Sequence, residues 1–179
     1  MNTGIFSRGY GFATVVFGLA AVIVYLVMTR VTLAHLADAS GVLPFDLRPL
    51  GYSPKDAAEL LGGLGEAGRR YYLSRQIPLD TLYPALLALT LGSAMCWFGA
   101  RLPKGRMVVT GISLSVLTAI ADYTENLGVA LMILGWPDVP DLLVRATSVA
   151  STTKAISTTA AVGILIVLAA KWCVRSRRT

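Results

Sequence analysis

Histidine is almost missing from this chain: His35 stands alone among 179 residues. A single imidazole excludes zinc sites built from two or three histidines, paired-histidine haem ligation and the HExxH metalloprotease helix. A histidine-based hydrolytic triad would have to use His35, which lies just beyond the first apolar run, and no GxSxG accompanies it. Cysteine is nearly as scarce. Cys96 and Cys173 make neither a disulfide framework nor a CxxC redox pair, and read as small packing residues or palmitoylation sites. The stretch GLGEAG, Gly63 to Gly68, matches GxGxxG letter by letter, but that fingerprint works only after a strand. An amphipathic helical pattern precedes it here, so it reads as a glycine turn between helices. Asp122 and Glu125 beside a lysine are too few oxygen ligands for a metal site. The sequence assigns no cofactor and no metal.

Charge is sparse too, at 15% of residues against 55% hydrophobic ones. With a mean hydropathy of +0.64, this is a membrane protein's composition. A helix needs about 20 apolar residues to cross a hydrocarbon core of roughly 30 Å. Four segments qualify, at about 10–30, 80–100, 107–135 and 142–172. GYGFATVVFGLAAVIVYLVMT lies uncharged between Arg8 and Arg30, and TLYPALLALTLGSAMCWFGA lies uncharged before Arg101. The third segment carries Asp122 and Glu125, and the fourth carries Lys154. The first run exceeds a signal-peptide core of roughly 7–15 residues, so it is expected to be a retained helix.

Sixteen basic residues against ten acidic ones give a net charge of +6. With four spans, Arg8, Arg101, Lys104, Arg106, Lys171, Arg175, Arg177 and Arg178 all fall on one side. The positive-inside bias makes that side cytoplasmic and puts both termini there, so the basicity calls for no nucleic-acid partner.

The remaining long segment, Arg30 to Leu79, has its own helical signals. Ser53, Pro54 and Asp56 predict a capped helix start, and Ala57, Leu60, Leu61 and Leu64 recur at helical spacing behind it. A second short helix is expected near Glu66, carrying Arg69, Arg70, Tyr71 and Tyr72, with Pro78 closing it before the second span. The expected fold is an all-α integral membrane protein, one membrane domain over 1–179. It is a four-transmembrane-helix bundle with an amphipathic helical segment, about 53–76, capping its outer face.

ADYTENLG, Ala121 to Gly128, interrupts the third span with Asp122, Glu125 and Asn126, spaced so that all three share one helical face. Intramembrane charge is costly and usually faces the bundle interior, where it finds a partner. Glu125 and Lys154 each lie about nine residues from the outer boundary, some ~13 Å deep at 1.5 Å per residue. Thr147, Ser151, Lys154 and Thr158 form a polar stripe, and Ser148, Thr152, Ala155 and Thr159 a small-residue stripe suited to close helix approach. Asp80 and Tyr83 share a face at the outer end of the second span, and FDLRPLGYS contributes Asp46 and Arg48.

These residues predict a polar cavity in the outer half that binds or converts a small amphipathic or lipid-like molecule from the membrane. Asp122 and Glu125 would be the catalytic acid and base, Asn126 the orienting donor and Lys154 the electrostatic partner. Asp80 and Tyr83 would face the ligand, and Arg69 and Arg70 would receive an anionic head group. The alternative is a non-enzymatic assembly or accessory protein whose buried ion pair fixes helix registry. A proton or cation path would need homo-oligomerisation, which the sequence leaves open, because four helices make a poor gated route.

The pattern GYSxxxA, LGxxGRxxY, DxxYP and DxxEN resembles a group of small four-span bacterial membrane proteins without assigned activity, over about two thirds of the chain. That resemblance implies a bacterial inner-membrane location and no particular reaction. More loosely, the chain is similar to sterol-isomerase-like and sigma-2-receptor-like four-span proteins, whose cavities use intramembrane acids; no residue is carried over from them.

Overall fold

The computed structural model describes residues 3–102 and 105–177, with side chains from Arg8 onward. Lys104 and Arg178, two of the cations counted above, lie outside the described residues. Helix accounts for 88% of the structure, and no strand occurs among the described residues. Four helical stretches are long and apolar enough to cross a membrane: Arg8–Ser40, Pro54–Gly99, Gly105–Leu134 and Asp141–Ser176.

The first stretch comprises α1 (Thr3–Val27), a π turn (Met28–Thr32) and α2 (Leu33–Ser40). It runs ten residues beyond the expected end of the first span and stops at Gly41, whose left-handed φ of 74° lets its N–H return to the Ala37 carbonyl. Next come a 3₁₀ turn (Phe45–Leu47) and α3 (Pro54–Tyr71). Ser53 and Asp56 close a full capping box on α3, with Pro54 in the first turn.

Gly65, at φ 60° and ψ −174°, breaks α3 into two helical pieces. Pro78, however, closes nothing. The chain passes from α3 through a second π turn (Tyr72–Gln76) directly into α4 (Ile77–Gly99). A residue without an N–H is accommodated just where the ordinary i to i+4 ladder is already shifted. The remaining rods are α5 (Gly105–Leu134) and α6 (Asp141–Ser176).

Packing follows a chain order: α1 lies against α4, α4 against α5, and α5 against α6, while α1 and α6 hardly touch. Small residues set the close approaches. A Cβ at Gly111 of α5 would fall on the Met95 sulfur of α4, and one at Gly128 would fall on Thr147 of α6. At the opposite end from the cap, Trp97, Phe98 and Trp172 make edge contacts, and Leu91, Met95, Ala161 and Leu168 form a small core.

The larger core lies under the cap. Ala57, Leu60, Leu61 and Leu64 of α3 are buried against Leu33 and Leu36 of α2, Met132 and Ile133 of α5, and Val144 of α6. This burial holds the amphipathic segment on the bundle, and the Ser40 carbonyl sits so close to Gly63 that a Cβ there would meet it at 2.7 Å. Outward, the four rods present long apolar side chains: Phe12, Leu19 and Ile23 on α1, Leu89 on α4, Val109 and Ile120 on α5, and Ile156 and Ile166 on α6.

Candidate functional site

Both π turns lie beside the polar cluster. Thr32 in the first donates to Gln76 Oε1 in the second, joining the two helical rods side chain to side chain. Gln76 Nε2 then donates to Asp46 Oδ1 at 3.1 Å, and the Tyr72 hydroxyl donates to Asp46 Oδ2. The 3₁₀ turn that carries Asp46 is anchored by buried Phe45, whose ring packs on Tyr52 and Tyr72. Asp46 is thereby turned into the bundle, within hydrogen-bond reach of Asp80. Burial pushes its carboxyl up, but the bond with Asp80, the positive charge of Lys154 and the Tyr72 hydroxyl outweigh that and hold it below its ordinary value.

Asp80 is buried at 2% exposure. Pro84, four residues on within α4, has no N–H to offer the Asp80 carbonyl. Asn126 supplies the missing donor: its Nδ2 reaches that carbonyl at 2.6 Å. The asparagine of DYTEN thus repairs a proline-interrupted helix across the α4–α5 interface. The Asp80 and Asp46 carboxyl groups face each other as two acceptors, so they bond only when one carries a proton, and with both ionised Asp80 Oδ2 has no donor.

Lys154 of α6 reaches both acids of α5. Its Nζ lies 3.1 Å from Asp122 Oδ1 and in direct contact with Glu125 Oε2. The pairing expected from matching depth is therefore present, and Asp122 joins it. Glu125 also accepts from the Ser151 hydroxyl at 2.5 Å, so both its oxygens are engaged inside the α5–α6 interface. Burial, followed by the charge of Glu125, pushes the nearby Tyr52 hydroxyl up. Below Lys154 the hydroxyls continue, with Thr118 donating to Ser157 at 2.9 Å and Thr158 meeting Thr118 at 3.4 Å.

A cavity of about 290 Å³ opens beside this cluster. Asp46, Asp80, Asp122 and Lys154 line its polar wall, and Tyr25 and Tyr83, with ring centroids 5.8 Å apart, stand on its aromatic wall. Its lining is shared by α1 and α6, the two rods that hardly touch, and the rim residues Tyr25, Leu47 and Thr159 are exposed. The cavity therefore opens sideways through the α1–α6 seam, among outward-facing apolar side chains.

Of the residues singled out from sequence, Asp80, Tyr83, Asp122 and Lys154 meet at this cavity. Glu125 and Asn126 sit behind it, occupied by Lys154 and Ser151 and by the Asp80 carbonyl respectively. Arg69 and Arg70 lie elsewhere. Arg69 Nη1 donates to the Leu61 carbonyl, one turn before the Gly65 break, and its guanidinium stands 5.5 Å from the Trp136 ring. Arg70 pairs with Glu66 at the exposed surface. The helix break needs a local donor, and that keeps Arg69 at the kink. The small-residue stripe of α6 also receives something other than a helix. Ser148 accepts the Tyr52 N–H at 2.8 Å, and Gly51, at φ 87°, is pressed against Ser148 and Thr152.

Asp46, counted from sequence among the outer-half polar residues without a role, lines the cavity as well, and Tyr72 and Gln76 belong to the cluster without having been assigned to it from sequence. The available signal was the spacing of Tyr72, Gln76 and Asp80, four apart, which carries one polar face from the cap into the second span. No protein-family model, curated protein or solved structure matches this chain.

Proposed function

We propose that the chain is an integral membrane protein, its termini on the cytoplasmic side of a bacterial inner membrane, whose lateral cavity binds the polar end of a small amphipathic molecule drawn from the lipid. The observation that carries this reading is a polar-walled cavity with its mouth between two apolar, outward-facing helices. A soluble ligand would not need that route.

Asp122 is the acid–base group of the site, because it lines the cavity while holding only one contact to Lys154. Glu125 orients Lys154 from behind. Asp80 and Tyr83 face the ligand, and Asp46 completes the polar wall from above. A second reading, a purely structural ion pair, draws support from Glu125, which touches Lys154 and Ser151 and does not line the cavity.

Native mass spectrometry of the purified protein, with Asp122→Asn and Glu125→Gln, separates the two. The ligand reading expects a bound small molecule that Asp122→Asn loses while the fold survives. If no bound species appears in the parent protein and both variants change only the melting temperature, the structural reading holds.

A further inference from the structure

We infer that the head group received by this cavity is cationic, an ammonium borne on an apolar tail; this rests on the ligand reading above and narrows it to one chemical class. Three carboxyl groups line the cavity, Asp46, Asp80 and Asp122, with Glu125 behind it, and among the described lining residues Lys154 is the one cation. Lys154 already serves Asp122 and Glu125, which leaves it poorly placed to receive an anion. The nearest arginine on the loop, Arg48, is spent on the Leu43 carbonyl at 2.9 Å and on Asp56 at 3.4 Å.

Asp80 supplies the independent sign of a missing partner. It is 2% exposed, lines the cavity, and its Oδ2 has no hydrogen-bond donor. Asp46, the group within its hydrogen-bond reach, is another acceptor unless a proton stands between them. A protonated amine beside Asp80 supplies both the missing N–H donor and a positive charge shared by the two carboxylates. The paired rings of Tyr25 and Tyr83 offer such a cation aromatic faces on the adjoining wall.

A metal ion fits less well, since no group of three or more candidate ligating side chains is assembled among the described residues. Size agrees with a head group only: 290 Å³ falls at the low end of small-molecule sites, so the tail remains in the α1–α6 seam.

The test uses the full chain in neutral maltoside micelles, titrated with three probes sharing one tail: hexadecylammonium, hexadecanol and hexadecyl phosphate. Binding is read as saturable stabilisation against thermal unfolding. Hexadecylammonium should bind at least tenfold more tightly than hexadecanol, and hexadecyl phosphate should bind more weakly than either. Asp80→Asn should weaken the ammonium probe tenfold or more while leaving hexadecanol unchanged. Because Asp80→Asn can also disturb folding, Ala155→Phe, which fills the cavity from the α6 wall, should abolish binding of every probe with helicity retained.

Equal binding of the ammonium and alcohol probes, or tighter binding of the phosphate, with all of it lost in Ala155→Phe, overturns the cationic preference and leaves the cavity reading intact. Binding that is not saturable, or that ignores Ala155→Phe, overturns both.

Discussion

The two halves of the bundle are held by different physics. In the half under the cap, three helix irregularities, two π turns and Pro84, sit beside five ionisable side chains, four of them held by side-chain hydrogen bonds or ion pairs and the fifth, Asp80, facing Asp46. In the opposite half, α4, α5 and α6 run regular and are joined by Leu91, Met95, Ala161 and Leu168, with glycine where they come closest. Apolar packing tolerates regular helices, because any matching face will bury. Polar satisfaction does not: each buried carboxylate needs a donor at a particular place, and the backbone is bent or interrupted to bring one there. The irregular half also holds the polar-walled cavity, as expected if a fold departs from regularity mainly where it is used.

The largest effect should come from removing Lys154, the cation that pairs with Asp122 and Glu125. Lys154→Met strands Asp122 and Glu125 in the interior, and loss of one partner of a buried ion pair costs about 3–5 kcal/mol. Adding Glu125→Gln should restore a substantial part of that, and adding Asp122→Asn as well should restore more. Unfolding in detergent micelles measures it. A Lys154→Met protein as stable as the parent would mean that the network does not hold this half together.

Next in size is the repair of α4. Asn126→Ala leaves the Asp80 carbonyl without a donor, a loss of about 1–3 kcal/mol for a buried acceptor. Pro84→Ala restores an N–H at the helix's own expense, so in that background Asn126→Ala should be nearly silent. A double-mutant cycle reads the coupling directly. Additive losses would mean that Asn126 acts elsewhere.

The regular half should answer to volume instead of polarity. Gly111→Val drives a side chain onto Met95 and Ile164, and overpacking of this kind costs roughly 1–3 kcal/mol. Met95→Ala, destabilising by itself, should partly rescue Gly111→Val, as measured by thermal unfolding. The same exchange of volumes has no counterpart around Lys154.

Much of the regular half is legible in the sequence, because uncharged runs and helical spacing determine it. Asp122, Glu125 and Lys154 were also legible, since a charge in an apolar run demands an interior partner and depth can be counted. What escaped is what crosses between distant parts of the chain. Asp46 meets Gln76 and Asp80 only because Phe45 is buried and a π turn redirects Tyr72 and Gln76. Asn126 answers a vacancy created by a proline 42 positions away in another helix, visible only once the two helices are in register. Arg69 looked like a ligand-binding cation because the glycine interruption, legible in itself, does not reveal that the kink would set its guanidinium against the Leu61 carbonyl.

The smallest expected effect sharpens the comparison at the boundary between cap and bundle. Asp46 is held below its ordinary value in the folded protein, so its ionised form stabilises the fold at neutral pH. That contribution is complete above the ordinary aspartate value of 3.8 and fades as the pH falls below it through the lower folded value. Asp46→Asn keeps the shape and one of the two acceptor oxygens that Tyr72 and Gln76 use, and removes the charge. The parent should therefore be more stable than Asp46→Asn by a constant margin from pH 5 to 7, a margin that shrinks below pH 3.8. Thermal unfolding of both proteins across that range measures the difference. A margin that widens on acidification would mean that Asp46 holds its proton in the folded state, and that Asp80, facing it, carries the charge.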